Sequence, residues 1–125
     1  MGKSLNESTY VEEAEQIIQI LKQENKRLIS ASKLRNILSM LADLYNRVFY
    51  SRGENLLDRN IEIDLKYCKM RCAYEAGRDP EVRKFVDKTH IMEYIDGIGN
   101  SKERFILYYR YVEALVAYHK YYGGE

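Results

Sequence analysis

The stretch RFILYYRYVEALVAYHKYYGG, Arg104 to Gly124, decides how the rest of the chain is read. Ser101 can N-cap it and Gly123 supplies the left-handed residue that usually stops a helix, so the spacing predicts one helix of about five turns. Phe105, Tyr108, Tyr109, Val112, Leu115, Val116 and His119 form one broad apolar stripe, and Tyr111, Ala114, Tyr118 and Tyr121 form a second. Only Ile106, Arg110, Glu113, Ala117 and Lys120 lie between them. A helix with so little polar surface must be covered on most sides by its own bundle or by another subunit. It is expected to be the central post of a helical bundle.

The flanking sequence supports an all-α chain. With 125 residues and a single proline, it has the length of one domain, able to bury roughly 70% of the surface of its unfolded form. Apolar residues recur at three and four, which favours helices over sheets throughout. The expectation is one five-helix bundle spanning 1–125. There is no run of about 18 apolar residues and no basic start followed by an apolar block. Neither a membrane span nor a secretory signal is therefore expected, and the chain is read as cytosolic. Cys68 and Cys72 stand four apart on a predicted helix, where the backbone keeps their sulfurs from disulfide distance, so they are read as reduced core thiols.

Working back to the start, helix one is predicted from Tyr10 to Glu24, with Thr9 and Glu12 as a capping box and Ala14, Ile17, Ile18 and Leu21 buried. Its glutamates suit the positive end of the helix dipole; docking of a basic partner is the other reading. A polar loop from Asn25 to Ile29 leads to Ser30, the cap of a second helix that reaches about Tyr50. Leu34, Ile37, Leu38, Leu41, Leu44, Tyr45 and Val48 are its core face.

Charge is uneven. Residues 25–52 carry six Lys or Arg against Asp43 alone, whereas residues 1–24 carry five Glu against Lys3 and Lys22. Lys33 and Arg35 stand in the first turns of helix two, where cations oppose the dipole and so do not serve the helix. Arg35, Ser39, Ala42 and Asn46 fall on one line, with Arg47 read as lying beside it. Short side chains flanked by cations let a phosphate backbone approach closely; an ordinary solvated face is the alternative.

Ser51 to Asn60 is unpatterned and read as a loop. A third helix is predicted from Ile61 to Ala76, with Ile61, Leu65, Cys68 and Cys72 inward, Glu62, Lys66 and Lys69 outward, and Gly77 as its end. Asp79 caps a fourth, which starts at Pro80 and runs to Asp96 on Val82, Phe85, Val86, Thr89, Met92 and Ile95. Gly97 and Gly99 make the turn into the last helix. Arg78 in the tight corner can hold an anion with the free N–H groups of helix four, or reach back to the carbonyls of helix three.

No catalytic pattern emerges. The chain lacks a Gly-rich phosphate loop, H-E-x-x-H, G-x-S-x-G and paired Cys at zinc spacing, so no enzyme, cofactor or metal is expected. His119, flanked by tyrosines and without an evident orienting carboxylate, reads as a packed residue rather than a general base. Glu113 is the only carboxylate embedded in the aromatic helix. Half of the twelve tyrosines lie in that helix, where packing explains them more simply than base stacking.

Three blocks together, SKLRNILSMLADLYNR at 32–47, YEAGRD at 74–79 and RYVEALVAYHKYYGG at 110–124, resemble the small subunit of type III-A, Csm-type, CRISPR effector complexes. The resemblance implies a non-catalytic five-helix bundle, several copies of which stack as the inner filament of a ribonucleoprotein along paired guide and target RNA. It implies as neighbours a backbone subunit that cleaves target RNA and a large Cas10-type subunit that makes the signal molecule and cleaves DNA. Lys33, Arg35 and Arg47 match basic positions of the first block and Arg78 one of the second, making them candidate RNA-backbone contacts; Lys69, Arg110 and Lys120 follow. Contacts to phosphate and sugar are expected, since an A-form duplex of any guide sequence is recognised by shape. Tyr111, Tyr118 and Tyr121 are expected to serve copy-to-copy contact if the bundle leaves their stripe uncovered. A helical adaptor binding an acidic protein and no nucleic acid is the alternative.

Overall fold

A computed structural model describes residues 5–24, 28–50 and 55–123. Among them the chain forms six helices: α1 Tyr10–Glu24, α2 Ala31–Phe49, α3 Arg59–Arg78, α4 Pro80–Thr89, α5 Ile91–Ile98 and α6 Lys102–Tyr121. The all-α expectation holds; the count of five does not, because the segment expected as one fourth helix is two.

The break sits at His90, whose φ of 60° places a non-glycine residue in the left-handed region. Thr89 prepares it by turning its Oγ1 back onto the Phe85 carbonyl (2.7 Å), and the His90 N–H still donates to Val86 O. The carbonyls on either side of the break each receive a hydroxyl from the central helix. Tyr111 Oη donates to Thr89 O (2.9 Å) and Tyr108 Oη to Ile91 O (3.1 Å). Both tyrosines are fully buried, and burial pushes both phenols well above their usual range, so they remain donors at any physiological pH.

α6 is the post the sequence predicts, capped by Ser101 Oγ on the Arg104 N–H (3.1 Å). It packs against α1, α2 and α5, while α3 packs against α4, α2 and α5. Its first stripe is buried, apart from the half-buried Val116, and Arg110, Glu113, Ala117 and Lys120 are exposed as expected. The second stripe divides: Tyr111 is core, Ala114 and Tyr118 are half-buried, and Tyr121 is exposed. Tyr111 is therefore not available to a neighbouring copy. His119 is buried, and its Nε2 donates to the Ile29 carbonyl (2.5 Å), the packed role expected of it.

The end of α6 is tied to α1. Tyr122 Oη donates to Glu15 (2.6 Å) and accepts from Gln19 (2.7 Å), while Lys22 Nζ donates to the Tyr122 carbonyl. Gly123 is left-handed at φ 90°, as its place after a helix requires.

α2 starts where expected, Ser30 Oγ accepting from the Lys33 N–H. α3 is longer than expected at both ends. Asp58 caps it through the Asn60 N–H, so Arg59 and Asn60 are helical rather than loop, and it runs through Gly77 to Arg78 before Asp79 turns the chain and caps α4 through the Glu81 N–H. Likewise α5 continues through Gly97, and the turn rests on Gly99 at φ 57°. Residues 51–54 of the expected loop, and 25–27 of the earlier one, lie outside the described residues; Ile29, read as polar loop, is buried.

α2 and α3 run antiparallel. Met40 O lies 3.7 Å from Cys68 Sγ at the middle of their seam. Cys68 and Cys72 are buried free thiols. Burial pushes Cys68 up to about 11 and Cys72 up to about 12 from an ordinary 9.0. The thiolate is the nucleophile, so at neutral pH its population at Cys68 falls about 100-fold and at Cys72 further. Iodoacetamide is expected to modify both at least that much more slowly in the native chain than in guanidinium, read by mass spectrometry. Equal rates would show that the seam is open.

Candidate nucleic-acid interface

The seven cations singled out in the sequence do not form one continuous patch. Two of them clamp the α2–α3 seam. Lys33, at its start, pairs with Asp79, and Arg47, near its end, reaches Asp64 (2.6 Å) and more loosely Asp43 (3.5 Å). They stand roughly 21 Å apart along α2, one at each end of the seam. The Asp64 carboxylate raises the Arg47 guanidinium further above its ordinary value, and the Lys33 ammonium holds the Asp79 carboxyl below its own. Both pairs remain partly open to water, where such pairs are worth little to stability and their cations stay accessible.

Arg78 lies beside the Lys33–Asp79 pair. Its guanidinium sits 5.6 Å from the Tyr74 ring centroid and 3.6 Å from Glu75, on a side chain that is 63% exposed. Lys33, Arg78 and the first turn of α4 thus gather at one corner. Arg78 therefore contacts Tyr74 and Glu75 on its own helix, which is neither of the two roles read for it in the sequence.

Arg35 stands elsewhere. It is exposed, makes no ion pair among the described residues, and lies about 160° around the α2 axis from Lys33. Ser39, Ala42 and Asn46 continue its row, with Ser39 and Asn46 exposed and Ala42 half-buried. Arg47 is not beside this row: it lies about 100° away, on the side facing α3. Lys69 points to α5, where its ammonium takes both oxygens of Asp96 at 2.7 Å.

Arg110 and Lys120 are exposed on the solvent strip of α6. Arg110 lines an open groove of about 1170 Å³ beside the α5–α6 turn, shared with Lys102, Arg104, Glu7 and Glu103. Its mixed charge makes it a poor trap for an anion.

One feature of α3 was missed in the sequence. Ile63, Tyr67, Met70 and Tyr74 recur at helical spacing on its outer face and are 52–59% exposed. The inward stripe of Ile61, Leu65, Cys68 and Cys72 had already accounted for the helix, and apolar residues on two opposite faces leave little periodic contrast. The spacing of four, three and four was the signal that could have found it.

Among the described residues no group of three His, Cys, Asp or Glu could hold a metal ion, and no helix is long and apolar enough to cross a membrane.

Residues 4–125 match the model of the family described as Csm2, Type III-A. The chain is similar to three proteins named CRISPR system Cms protein Csm2. The one from Enterococcus italicus is 40% identical over 96 residues, covering 75% of this chain and 68% of the relative. The one from Streptococcus thermophilus is 34% identical over 123 residues, covering 97% of each. The third, from Mycobacterium tuberculosis, is 33% identical over 118 residues and covers 94% of each.

Proposed function

Since this chain belongs to the Csm2 family and is a type III-A CRISPR small subunit, we propose that it is a non-catalytic subunit whose copies stack as an inner filament along the guide and target RNA. Its neighbours in this reading are the backbone subunit and the large Cas10-type subunit. The observation that carries it is the outer flank of α2: Arg35 exposed, without an ion pair among the described residues, and followed along the helix by Ser39, Ala42 and Asn46. A guanidinium projecting from a low ridge can reach phosphate oxygens without a bulky side chain in the way. The Lys33 and Arg78 corner supplies a second contact through the Arg78 side chain, which is 63% exposed. Arg47, Lys69, Arg110 and Lys120 add positive potential from other sides. Each contact is weak alone, and neighbouring copies gain by multivalency what one copy lacks.

A second reading, a protein adaptor that touches no nucleic acid, is favoured by one observation: Lys33, Arg47 and Lys69 are engaged by the chain's own carboxylates.

Arg35→Glu in the assembled complex separates the two. The RNA reading expects weaker target-duplex binding, a salt dependence whose log–log slope shrinks by about 0.7–0.9 per lost phosphate contact, and an unchanged melting temperature of the isolated chain. Unchanged binding and slope would leave the adaptor reading.

A further inference from the structure

We propose that the outer face of α3 is a docking surface for one helix of a different protein subunit, a helix with an apolar stripe edged on both sides by Asp and Glu. This uses the assembly half of the reading above and does not require any RNA contact.

Ile63, Tyr67, Met70 and Tyr74 occupy i, i+4, i+7 and i+11 and form a continuous ridge of roughly 16 Å. Their exposure, 52–59%, is a property of a contiguous face and not of scattered residues. Tyrosine, methionine and arginine are the types enriched in protein interfaces. Isolated bases would find stacking partners only in Tyr67 and Tyr74, and Ile63 and Met70 offer them none. The ridge therefore fits an apolar helix face better than a nucleic-acid strand.

Charge selects the partner. Within about 80° of Ile63 around the helix axis the flanking charges are Arg59 and Lys66 on one side and Arg71 and Arg78 on the other, with no carboxylate among them. Arg59 and Lys66 make no ion pair among the described residues, while Arg71 and Arg78 share Glu75 at 3.7 and 3.6 Å. The other α3 acids lie further round, and Asp64 is committed to Arg47.

A second copy of the same face does not fit. The spacing is symmetric about the middle of the helix: antiparallel pairing would set Ile63 against Tyr74 and Tyr67 against Met70, but also the Arg59 and Lys66 edge against the same edge of the second copy, and the Arg71 and Arg78 edge likewise. Parallel pairing in register sets the Arg59 and Lys66 edge against the Arg71 and Arg78 edge of the second copy. Either arrangement meets like charge along both edges, which opposes association. Nor does α1, the most acidic helix, supply the complement. Its outward row is Glu12, Gln16, Gln19 and Gln23, with no large apolar residue between them. The occupant is accordingly a different chain, and its carboxylate edges pair with Arg59, Lys66 and Arg71 in the manner of flanking positions in a coiled coil, leaving Arg78 to the corner with Lys33.

The test places a benzophenone amino acid at position 67, and separately at position 70, of the full chain in the reconstituted complex with target RNA bound, followed by irradiation and mass spectrometry. The expected adduct joins this chain to a different subunit, at a helical peptide whose apolar repeat is flanked by Asp and Glu. Adducts to RNA alone, to a second copy of this chain, to a peptide without acidic edges, or no adduct at all would overturn the proposal. Lys66→Glu with Arg71→Glu is expected to lower incorporation of the chain into the purified complex at least tenfold with its own melting temperature unchanged, whereas Lys66→Arg with Arg71→Lys retains it. Normal incorporation of the reversed pair would also overturn it. The Arg35→Glu result reads RNA affinity and these results read a protein neighbour, so either reading can fail while the other stands.

Discussion

Leu115→Ala lowers the unfolding free energy by about 2–5 kcal/mol. The residue is fully buried on the stripe of α6, the helix against which α1, α2 and α5 all pack. Truncation removes the transfer energy of the lost carbons and leaves a cavity whose walls belong to several helices. With Tyr108 and Tyr111 fixed by their hydrogen bonds to the α4–α5 break, the helix has little freedom to shift into the space. The expected loss is therefore toward the upper end. Denaturant unfolding checks it, as a lower midpoint with an unchanged slope. Tyr121→Ala, at a 77% exposed position of the same helix, is expected to stay within about 0.5 kcal/mol. Similar losses from both would mean that α6 is not covered as described.

His90→Val costs about 1–3 kcal/mol. The left-handed backbone at this position is open to Gly and Asn and strained for a β-branched residue, whose methyl groups crowd the following carbonyl. Valine must either accept that strain or straighten the chain into one continuous helix, which would pull Thr89 O and Ile91 O away from the tyrosine hydroxyls. His90→Asn, which tolerates the same φ, is the control. It gives up the Nδ1 donation to Glu93 (2.7 Å) and the edge-on contact with the Tyr94 ring (6.4 Å between centroids), both of which His90→Val loses too, so the comparison isolates the backbone. Parallel thermal melts of the two variants decide it; equal melting temperatures would place no left-handed turn at residue 90.

The two results bear on how much of this molecule its sequence discloses. α6 is legible because local signals agree: a serine cap, a glycine stop and apolar residues all round. α2 is legible for the same reason, with its cap and clean inward stripe. The break at His90 is not, since neither Pro nor Gly marks it and its carbonyls are satisfied by hydroxyls 17 and 22 residues away. Gly77 and Gly97 misled in the opposite direction. Each is a permissible helix end whose neighbours continue the helix, and packing overrode propensity. Among the cations, identity and position were legible and engagement was not. Asp79, Asp64 and Asp96, which hold Lys33, Arg47 and Lys69, sit on or at the start of other helices, so their pairing is a product of tertiary structure. The outer ridge of α3 was present in the spacing and was overlooked because one buried stripe already satisfied the helix.

The order of the helices along the chain has its own consequence. α6 is translated after every element that packs against it, so while the ribosome is still making residues 1–101 the inward faces of α1, α2 and α5 lack their common partner. The nascent chain reaches that point with exposed apolar stripes and closes its core in one late, long-range step. Any chaperone dependence during synthesis should therefore be confined to the interval before Lys102–Tyr121 leaves the exit tunnel.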